Sequence, residues 1–178
     1  MLSKRKHLTV FPALLTAALL GGCSLFTPKP PPPPSPPPVS SAALVAAIRA
    51  AGAREKSIIN VMPMQDPAVS SLRDTARHDE QTGQYAVAAA ALDQALTLSP
   101  DSPDLLQDRA EVAVRLKDFA TAEKLAQQSW SLGPKLGPLC ARNWQTVVEM
   151  RLQAGDQAGA ATARKWVKTC HKPGINRY

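Results

Sequence analysis

The sequence predicts an all-α protein, in which about three helical hairpins stack behind a leader and a proline-rich segment. The region from about residue 69 to 172 matches itself when it is shifted by thirty-four residues. Units of that length bury their apolar faces only by stacking on neighbours. The alternation of apolar and polar residues that is typical of strands is absent, and aromatic residues make up only 4% of the chain. The sequence therefore favours helical repeats over any β architecture.

The first residues have the pattern of an export signal. Three basic residues, Lys4, Arg5 and Lys6, precede an apolar run from Leu8 to Leu20. Such a run is short for a membrane span and typical of a cleaved secretory signal. The chain is therefore expected to leave the cytoplasm.

The run ends in Leu20-Gly21-Gly22-Cys23, which resembles the lipobox of bacterial lipoproteins. That resemblance implies that residues 1–22 are a signal peptide and that Cys23 carries the lipid. It also implies that Ser24, rather than Asp, directs the protein to the outer membrane. The alternatives are an ordinary signal peptide or a short membrane anchor, with a cysteine there by chance.

Residues 23–39 are expected to be a lipidated linker. Most positions from Pro28 to Pro38 are proline, which fixes φ and removes the backbone donor, so the run should form polyproline II. At about 3.1 Å per residue it would hold the next segment roughly 34 Å from the membrane. The alternative role is recognition by an SH3-like or WW-like module.

Residues 40–68 are expected to form a short helix and a loop. The alanine-rich stretch from Ser40 to Ile59 has apolar residues at helical spacing, and Ser40 or Ser41 could cap it. Two outcomes stay open for this helix. It either docks on the following domain or stays mobile.

The thirty-four-residue match aligns Gly83-Gln84-Tyr85 with Lys117-Asp118-Phe119, and Ala88 with Ala122. A third unit follows after about four extra residues and contains Gly155-Asp156-Gln157. The pattern resembles the tetratricopeptide repeat, which has Gly-x-Tyr at its inter-helix turn, Ala in its second helix and Pro after it. The matching residues are Leu72, Gly83, Tyr85, Ala88, Leu92, Ala95 and Pro100, then Leu106, Ala110, Phe119, Ala122 and Pro134, then Trp144, Val147, Gly155 and Ala160.

The resemblance implies a tetratricopeptide-like domain over residues 69–172, with residues 173–178 as a tail. Its residue types have physical reasons: small alanines let the helices of a hairpin approach closely, and glycine supplies the positive φ that ends the first helix. Two positions depart from the pattern. Lys117 replaces the turn glycine, and Ser129 replaces the late alanine of the second unit.

Once Cys23 is assigned to lipid, the remaining cysteines are Cys140 and Cys170. We place Cys140 just ahead of the first helix of the third hairpin, and Cys170 at the end of its second helix. These ends are neighbours in an antiparallel hairpin, so a disulfide is expected in an oxidising compartment. A metal site that adds His171 lacks a convincing fourth ligand and any CxxC spacing.

The sequence offers no recognisable catalytic motif and no cofactor motif. The mature chain has only His78 and His171, and it lacks nucleophile-elbow, metalloprotease and phosphate-loop patterns. Asp79-Glu80 is interpreted as a solvated helix face rather than an acid pair. The protein is therefore not expected to be an enzyme, nor to bind a metal or a cofactor.

A binding groove is the better expectation. In the tetratricopeptide family, residues of the first helix of each hairpin line the inner surface, and a polar groove of mixed charge is expected here. It lacks the lysine and asparagine arrangement that clamps a C-terminal carboxylate. The alternative is a ladder of solvated residues with no partner. The predicted groove residues are Arg73, Arg77, Gln81, Gln107, Glu111, Arg115, Gln145, Glu149 and Gln153.

Charge is unevenly distributed along the chain. Eleven acidic and five basic residues lie between Asp66 and Glu123, whereas two acidic and nine basic residues follow from Lys124 to Tyr178. An export signal makes nucleic acid an unsuitable partner for the basic part. The leading hypothesis is a non-catalytic outer-membrane lipoprotein, facing the periplasm, whose repeats dock other envelope proteins. The alternative is a structural lipoprotein whose basic half binds peptidoglycan or another anionic surface.

Overall fold

The computed structural model describes residues 39–55 and 66–171. The predictions for the signal peptide, Cys23, the proline linker and the tail lie outside these residues. Within them the protein has seven α-helices and no strand, which confirms the all-α prediction. None of these helices combines the length and apolarity that a membrane crossing needs. The helices are α1 (Ser41–Arg54), α2 (Pro67–Gln81), α3 (Tyr85–Leu98), α4 (Pro103–Arg115), α5 (Phe119–Leu132), α6 (Pro138–Gln153) and α7 (Gln157–Thr169).

Local chemistry explains where the helices begin. Asp66, Asp118 and Asp156 precede α2, α5 and α7, and each side chain accepts a hydrogen bond from a backbone N–H in the first turn, at 2.7, 3.2 and 2.8 Å respectively. Helices α4 and α6 begin at Pro103 and Pro138, where a missing N–H costs nothing. The sequence thus marks the start of these five helices.

Three antiparallel hairpins form from α2 with α3, α4 with α5, and α6 with α7, and successive hairpins stack. The equivalent alanines Ala88, Ala122 and Ala160 are completely buried, as close helix approach requires. Ser129 is also completely buried, and its hydroxyl donates to the carbonyl of Pro103 at 2.7 Å. Serine therefore replaces the late alanine without leaving its hydroxyl unsatisfied.

The turn within each hairpin uses one residue with a left-handed backbone. Gly83 and Gly155 have φ of 80° and 75°, and Lys117 adopts φ of 63° at the equivalent position. A Cβ atom added to either glycine would meet no heavy atom within 4 Å. The difference between glycine and lysine at these turns is therefore conformational and not steric crowding by neighbours.

Replacing Lys117 by glycine is expected to stabilise the protein. A left-handed conformation costs a residue with a side chain about 1–2 kcal/mol, while glycine loses about 0.5–1 kcal/mol more backbone entropy on folding. The net gain should be about 0.5–1 kcal/mol, measured as a higher midpoint of urea unfolding. Gly83→Lys is the matched control and should lower the midpoint. A shift in the same direction for both variants would contradict this explanation.

Helix α1 docks on the repeats, which resolves the two outcomes left open by the sequence. Leu44, Val45 and Ile48 are buried in one cluster with Met150 near the end of α6. Ala51, one turn further along α1, packs near Cys140 at the start of α6. The two helices therefore run antiparallel, and α1 also contacts α4.

Two cysteines lie side by side at the end of the third hairpin that is opposite its turn. Cys140 lies inside the first turn of α6, slightly later than its predicted position ahead of the helix, because α6 already begins at Pro138. Cys170 is the C-cap of α7. Their Sγ atoms lie 1.98 Å apart and their Cα atoms 5.6 Å apart. Trp144 packs beside them and stacks on Trp166, with ring centroids 5.4 Å apart.

We predict that Cys140 and Cys170 form a disulfide bond. The bridge closes a loop of sequence separation 30, so chain entropy predicts that the Cys140→Ser/Cys170→Ser variant loses about 3–4 kcal/mol of unfolding free energy. Denaturant titration measures this loss. A reductant should lower the stability of the wild type but leave the double variant unchanged. Free thiols at both positions in protein isolated from the cell envelope would contradict the prediction.

Candidate functional site

A polar cleft of about 590 Å³ opens between α1, α2 and α4. Five arginines and two carboxylates surround a small apolar floor. We call this site the arginine cleft. It is lined by Arg49, Arg73, Ala76, Arg77, Glu80, Gln81, Tyr85, Leu92, Asp108, Val112, Arg115 and Arg142.

Helical spacing explains how α2 forms one wall. Arg73, Arg77 and Gln81 follow one another at intervals of four residues, so they lie along one stripe of the helix. Val69 and Ala76 of the same helix are buried against the neighbouring helices. The apolar residues of α2 therefore fix its orientation, and its polar stripe is left beside the cleft.

Each carboxylate of the cleft is shared by two arginines. Glu80 accepts hydrogen bonds from Arg49 Nη2 at 2.7 and 2.9 Å, one at each oxygen, and from Arg115 Nε at 3.4 Å. Asp108 accepts from Arg73 Nε at 2.7 Å and from Arg142 Nη2 at 2.9 Å. These bonds connect α1, α2, α4 and α6 around the cleft.

Glu111 forms the buried centre of the same network. Its side chain has no exposed surface, and it lies 2.7 Å from Arg49 Nε and 2.7 Å from Arg142 Nη2. Gln107 Nε2 donates to Glu111 Oε1 and to Thr146 Oγ1 of α6, both at 3.0 Å. Glu111 therefore links α1, α4 and α6 at one point.

The cleft carries a net positive charge, because its five arginines exceed Glu80 and Asp108 even when the buried Glu111 is added. Arg77 is 56% exposed and pairs with Asp74 of its own helix at 2.6 Å. Arg115 lies over the ring of Tyr85, with its guanidinium carbon 5.6 Å from the ring centroid. This charge suits an anionic ligand.

The ion pairs shift the titration of the groups they hold. Burial by itself would raise the pKa of Asp108, but Arg142 and Arg73 outweigh it and lower that pKa below its ordinary value. Burial would lower the pKa of Arg142, and Glu111 and Asp108 reverse this and raise it. Both groups are therefore charged at neutral pH.

The stabilisation that depends on Asp108 should be lost in acid. Since folding lowers its pKa, the stabilisation is complete above the ordinary value of 3.8 and fades as the pH falls through the lower, folded-state pKa. Asp108→Asn should cost about 1–3 kcal/mol at pH 7. The difference in unfolding free energy between variant and wild type should become smaller below about pH 4. Thermal melts from pH 2 to 7 would test this, and a difference that stays constant would contradict it.

The predicted groove residues occupy three different environments. Arg73, Arg77, Gln81 and Arg115 line the cleft. Gln107 and Glu111 were expected to face a partner but are completely buried, because α4 packs there against α6 and Glu111 pairs with Arg49 of α1.

Gln145, Glu149 and Gln153 do not line the cleft. Gln145 Nε2 instead donates to Glu149 Oε1 at 2.7 Å along α6. Because α1 packs along α6, the third hairpin contributes Arg142 to the cleft and none of the residues that the repeat register predicted.

The interpretation of Asp79 and Glu80 as a solvated face is wrong. Asp79 is 8% exposed, and the side chain of Glu80 is 10% exposed beneath Arg49 and Arg115. Sequence reasoning also missed Arg49 and Arg142. Neither lies at a groove position of the repeat, and the only signal was the amphipathic pattern of the segment that carries Arg49.

Comparisons with known proteins agree with this architecture. The tetratricopeptide repeat family model matches residues 81–138. A search among curated proteins finds no match.

Among solved structures, the chain is similar to the globular C-terminal domain of LpoP from P. aeruginosa, with 32% sequence identity and a TM-score of 0.56. The similarity covers 59% of this chain and 99% of that domain. A sequence identity of this size over nearly the whole domain indicates a shared family and not only a shared fold. The chain therefore belongs to the family of the LpoP globular C-terminal domain, with tetratricopeptide-like helical repeats as its fold.

Proposed function

We propose that the protein is a non-catalytic outer-membrane lipoprotein whose repeat domain faces the periplasm and acts as an adaptor for other envelope proteins. The arginine cleft is the observation that carries this proposal. It is a concave, charged site within a fold typical of protein interaction domains. The repeats are similar to the globular C-terminal domain of LpoP.

The remaining parts of the chain suit this role. Lipid on Cys23 would attach the protein to the membrane, and the proline segment would hold the repeats away from the surface. With the signal peptide removed, the acidic and basic halves of the remaining chain would both be available to envelope partners. The anchor, the spacer and the adaptor would then form one functional unit.

The cleft is better suited to binding than to acid–base catalysis. Glu80 and Asp108 each accept hydrogen bonds from two arginines. At Asp108 these arginines favour the charged form of the carboxyl group. A general acid needs a pKa near the working pH, and the pKa of Asp108 is shifted away from it. The arrangement therefore supports recognition of a charged partner.

A second candidate is attachment to the cell wall or to another anionic surface. On α7, Arg164, Lys165 and Lys168 are exposed, and Trp166 beside them is 44% exposed. An exposed indole ring among cations could contact a glycan or an anionic head group. This surface would work independently of the arginine cleft.

Crosslinking in cells tests the adaptor function against this alternative. The wild type should crosslink to an envelope protein, and Arg77→Glu should reduce that product about tenfold, since a central charge is reversed. Lys168→Glu changes the net charge equally on α7 and should retain the product. Both side chains are exposed, so the unfolding free energy of each variant should lie within about 0.5 kcal/mol of the wild-type value.

The outcomes separate the two candidates. Loss of the product with Lys168→Glu, but not with Arg77→Glu, would replace the adaptor cleft by the basic surface. A wild type that yields no protein crosslink would contradict the adaptor function.

The Cys23→Ser variant should leave the membrane fraction or remain as precursor. A processed form that stays membrane-bound would contradict the lipid anchor.

A further inference from the structure

The five arginines of the cleft are not used equally. Arg49 donates to Glu80 and Glu111, and Arg142 donates to Asp108 and Glu111, so we call these two the bridging arginines. Arg73, Arg77 and Arg115 each donate one hydrogen bond to one carboxylate within the described residues, and we call them the single-contact arginines. The first pair holds the fold together, whereas the other three retain donor capacity.

That capacity is substantial. A guanidinium carries five N–H donors in a planar fork that fits a carboxylate through two parallel bonds. Arg73 and Arg77 lie one turn apart on α2, and Arg115 lies on α4 at the same cleft. The single-contact arginines can therefore donate to carboxylates of a ligand without breaking their present ion pairs.

The acidic groups of the cleft are already neutralised. Glu80 and Asp108 each have two arginine partners, so they add little repulsion against an incoming anion. The floor formed by Ala76, Leu92 and Val112 offers apolar contact to the stems of ligand side chains. A volume of about 590 Å³ lies within the range of small ligand sites, about 300–1,000 Å³, and suits a few residues of extended peptide.

Helix α1 controls this neutralisation through Arg49. Arg49 Nη2 contacts both oxygens of Glu80 at 2.7 and 2.9 Å, whereas Arg115 reaches Glu80 only at 3.4 Å. Without Arg49, Glu80 would carry its full charge into the cleft and would draw Arg115 toward itself. The helix outside the repeats thus determines whether Arg115 is available.

We propose that the arginine cleft binds an acidic segment of a partner protein, with Arg73, Arg77 and Arg115 donating hydrogen bonds to its Asp or Glu carboxylates. Arg49 is a positioning residue that keeps Glu80 from competing with the ligand. This inference rests on the proposed adaptor function and specifies the chemistry of the partner. An internal acidic segment supplies several carboxylates, which matches three single-contact arginines better than one chain terminus does.

Fluorescence anisotropy provides a direct test with the mature protein in detergent. The probe is an end-blocked, fluorescein-labelled peptide of alternating Glu and Ser, and the matched peptide has Gln in place of Glu. The Glu peptide should bind, more weakly as salt is raised, and the Gln peptide should not. Arg77→Glu should weaken binding about tenfold or more. The charge-matched Lys168→Glu variant should stay within about twofold of the wild type.

A rescue experiment tests the role of Arg49. Arg49→Gln should lower the affinity for the Glu peptide by about fivefold or more, because the charge of Glu80, no longer paired with Arg49, then repels the peptide. Adding Glu80→Gln to that variant should restore binding to within about twofold of the wild type. A purely structural role for Arg49 would not be rescued by removing the charge of Glu80. Because Arg49 also pairs with the buried Glu111, both variants should melt at a lower temperature than the wild type, and binding is measured well below the midpoint of each.

Several outcomes would overturn the proposal. They are no binding of the Glu peptide, equal binding of the Gln peptide, equal weakening by Lys168→Glu, or failure of the Glu80→Gln rescue. Competition by inorganic phosphate as strong as by unlabelled Glu peptide would replace the peptide by a simple anion. If cells still yield an Arg77-independent crosslink, the adaptor function stands and only this partner chemistry fails. If the peptide binds but no envelope protein crosslinks, the adaptor function fails instead.

Discussion

The buried carboxylate of Glu111 is the interaction on which the arrangement of the helices around the cleft depends. It lies on α4, receives Arg49 from α1 and Arg142 from α6, and has no exposed surface. Removing either arginine would leave part of a buried charge uncompensated, which is strongly unfavourable. Because Arg49 and Arg142 also reach Glu80 and Asp108, the position of the buried charge sets the shape and charge of the open cleft.

A buried ion network fixes the geometry of its side chains even where it adds little net stability. Desolvation offsets much of the attraction between buried ions, so apolar residues of similar volume could hold the helices together as well. What apolar residues could not supply is a fixed direction for each guanidinium, which its hydrogen bonds impose. The Gln107 bond to Thr146 adds a neutral link between α4 and α6 in the same layer. The network therefore fixes the positions of Arg49 and Arg142.

The two ends of the repeat array are held by different means. The third hairpin has paired cysteine sulfurs and packed tryptophan rings at its open end, and α1 covers its inner side. The first hairpin contributes α2 to a cleft that stays open to solvent. A terminal repeat has only one neighbour and depends most on added contacts. The third hairpin is thus held by added contacts, and the first two hairpins contribute Arg73, Arg77 and Arg115 to the cleft.

The sequence by itself determined the helical hairpins, the buried alanines and the turn positions of Gly83, Lys117 and Gly155. These features recur at a fixed spacing and depend on contacts within a hairpin or between adjacent hairpins, which a repeat encodes directly. Helical spacing also separates Arg73, Arg77 and Arg115 from the apolar face, and these three residues line the cleft. Only the tertiary structure decided that α1 docks along α6, that Glu111 and Gln107 are buried, and that Arg49 and Arg142 join the cleft. Helix α1 lies outside the repeat, so its docking depends on side-chain packing and ion pairs between residues far apart in the chain, which no periodicity records.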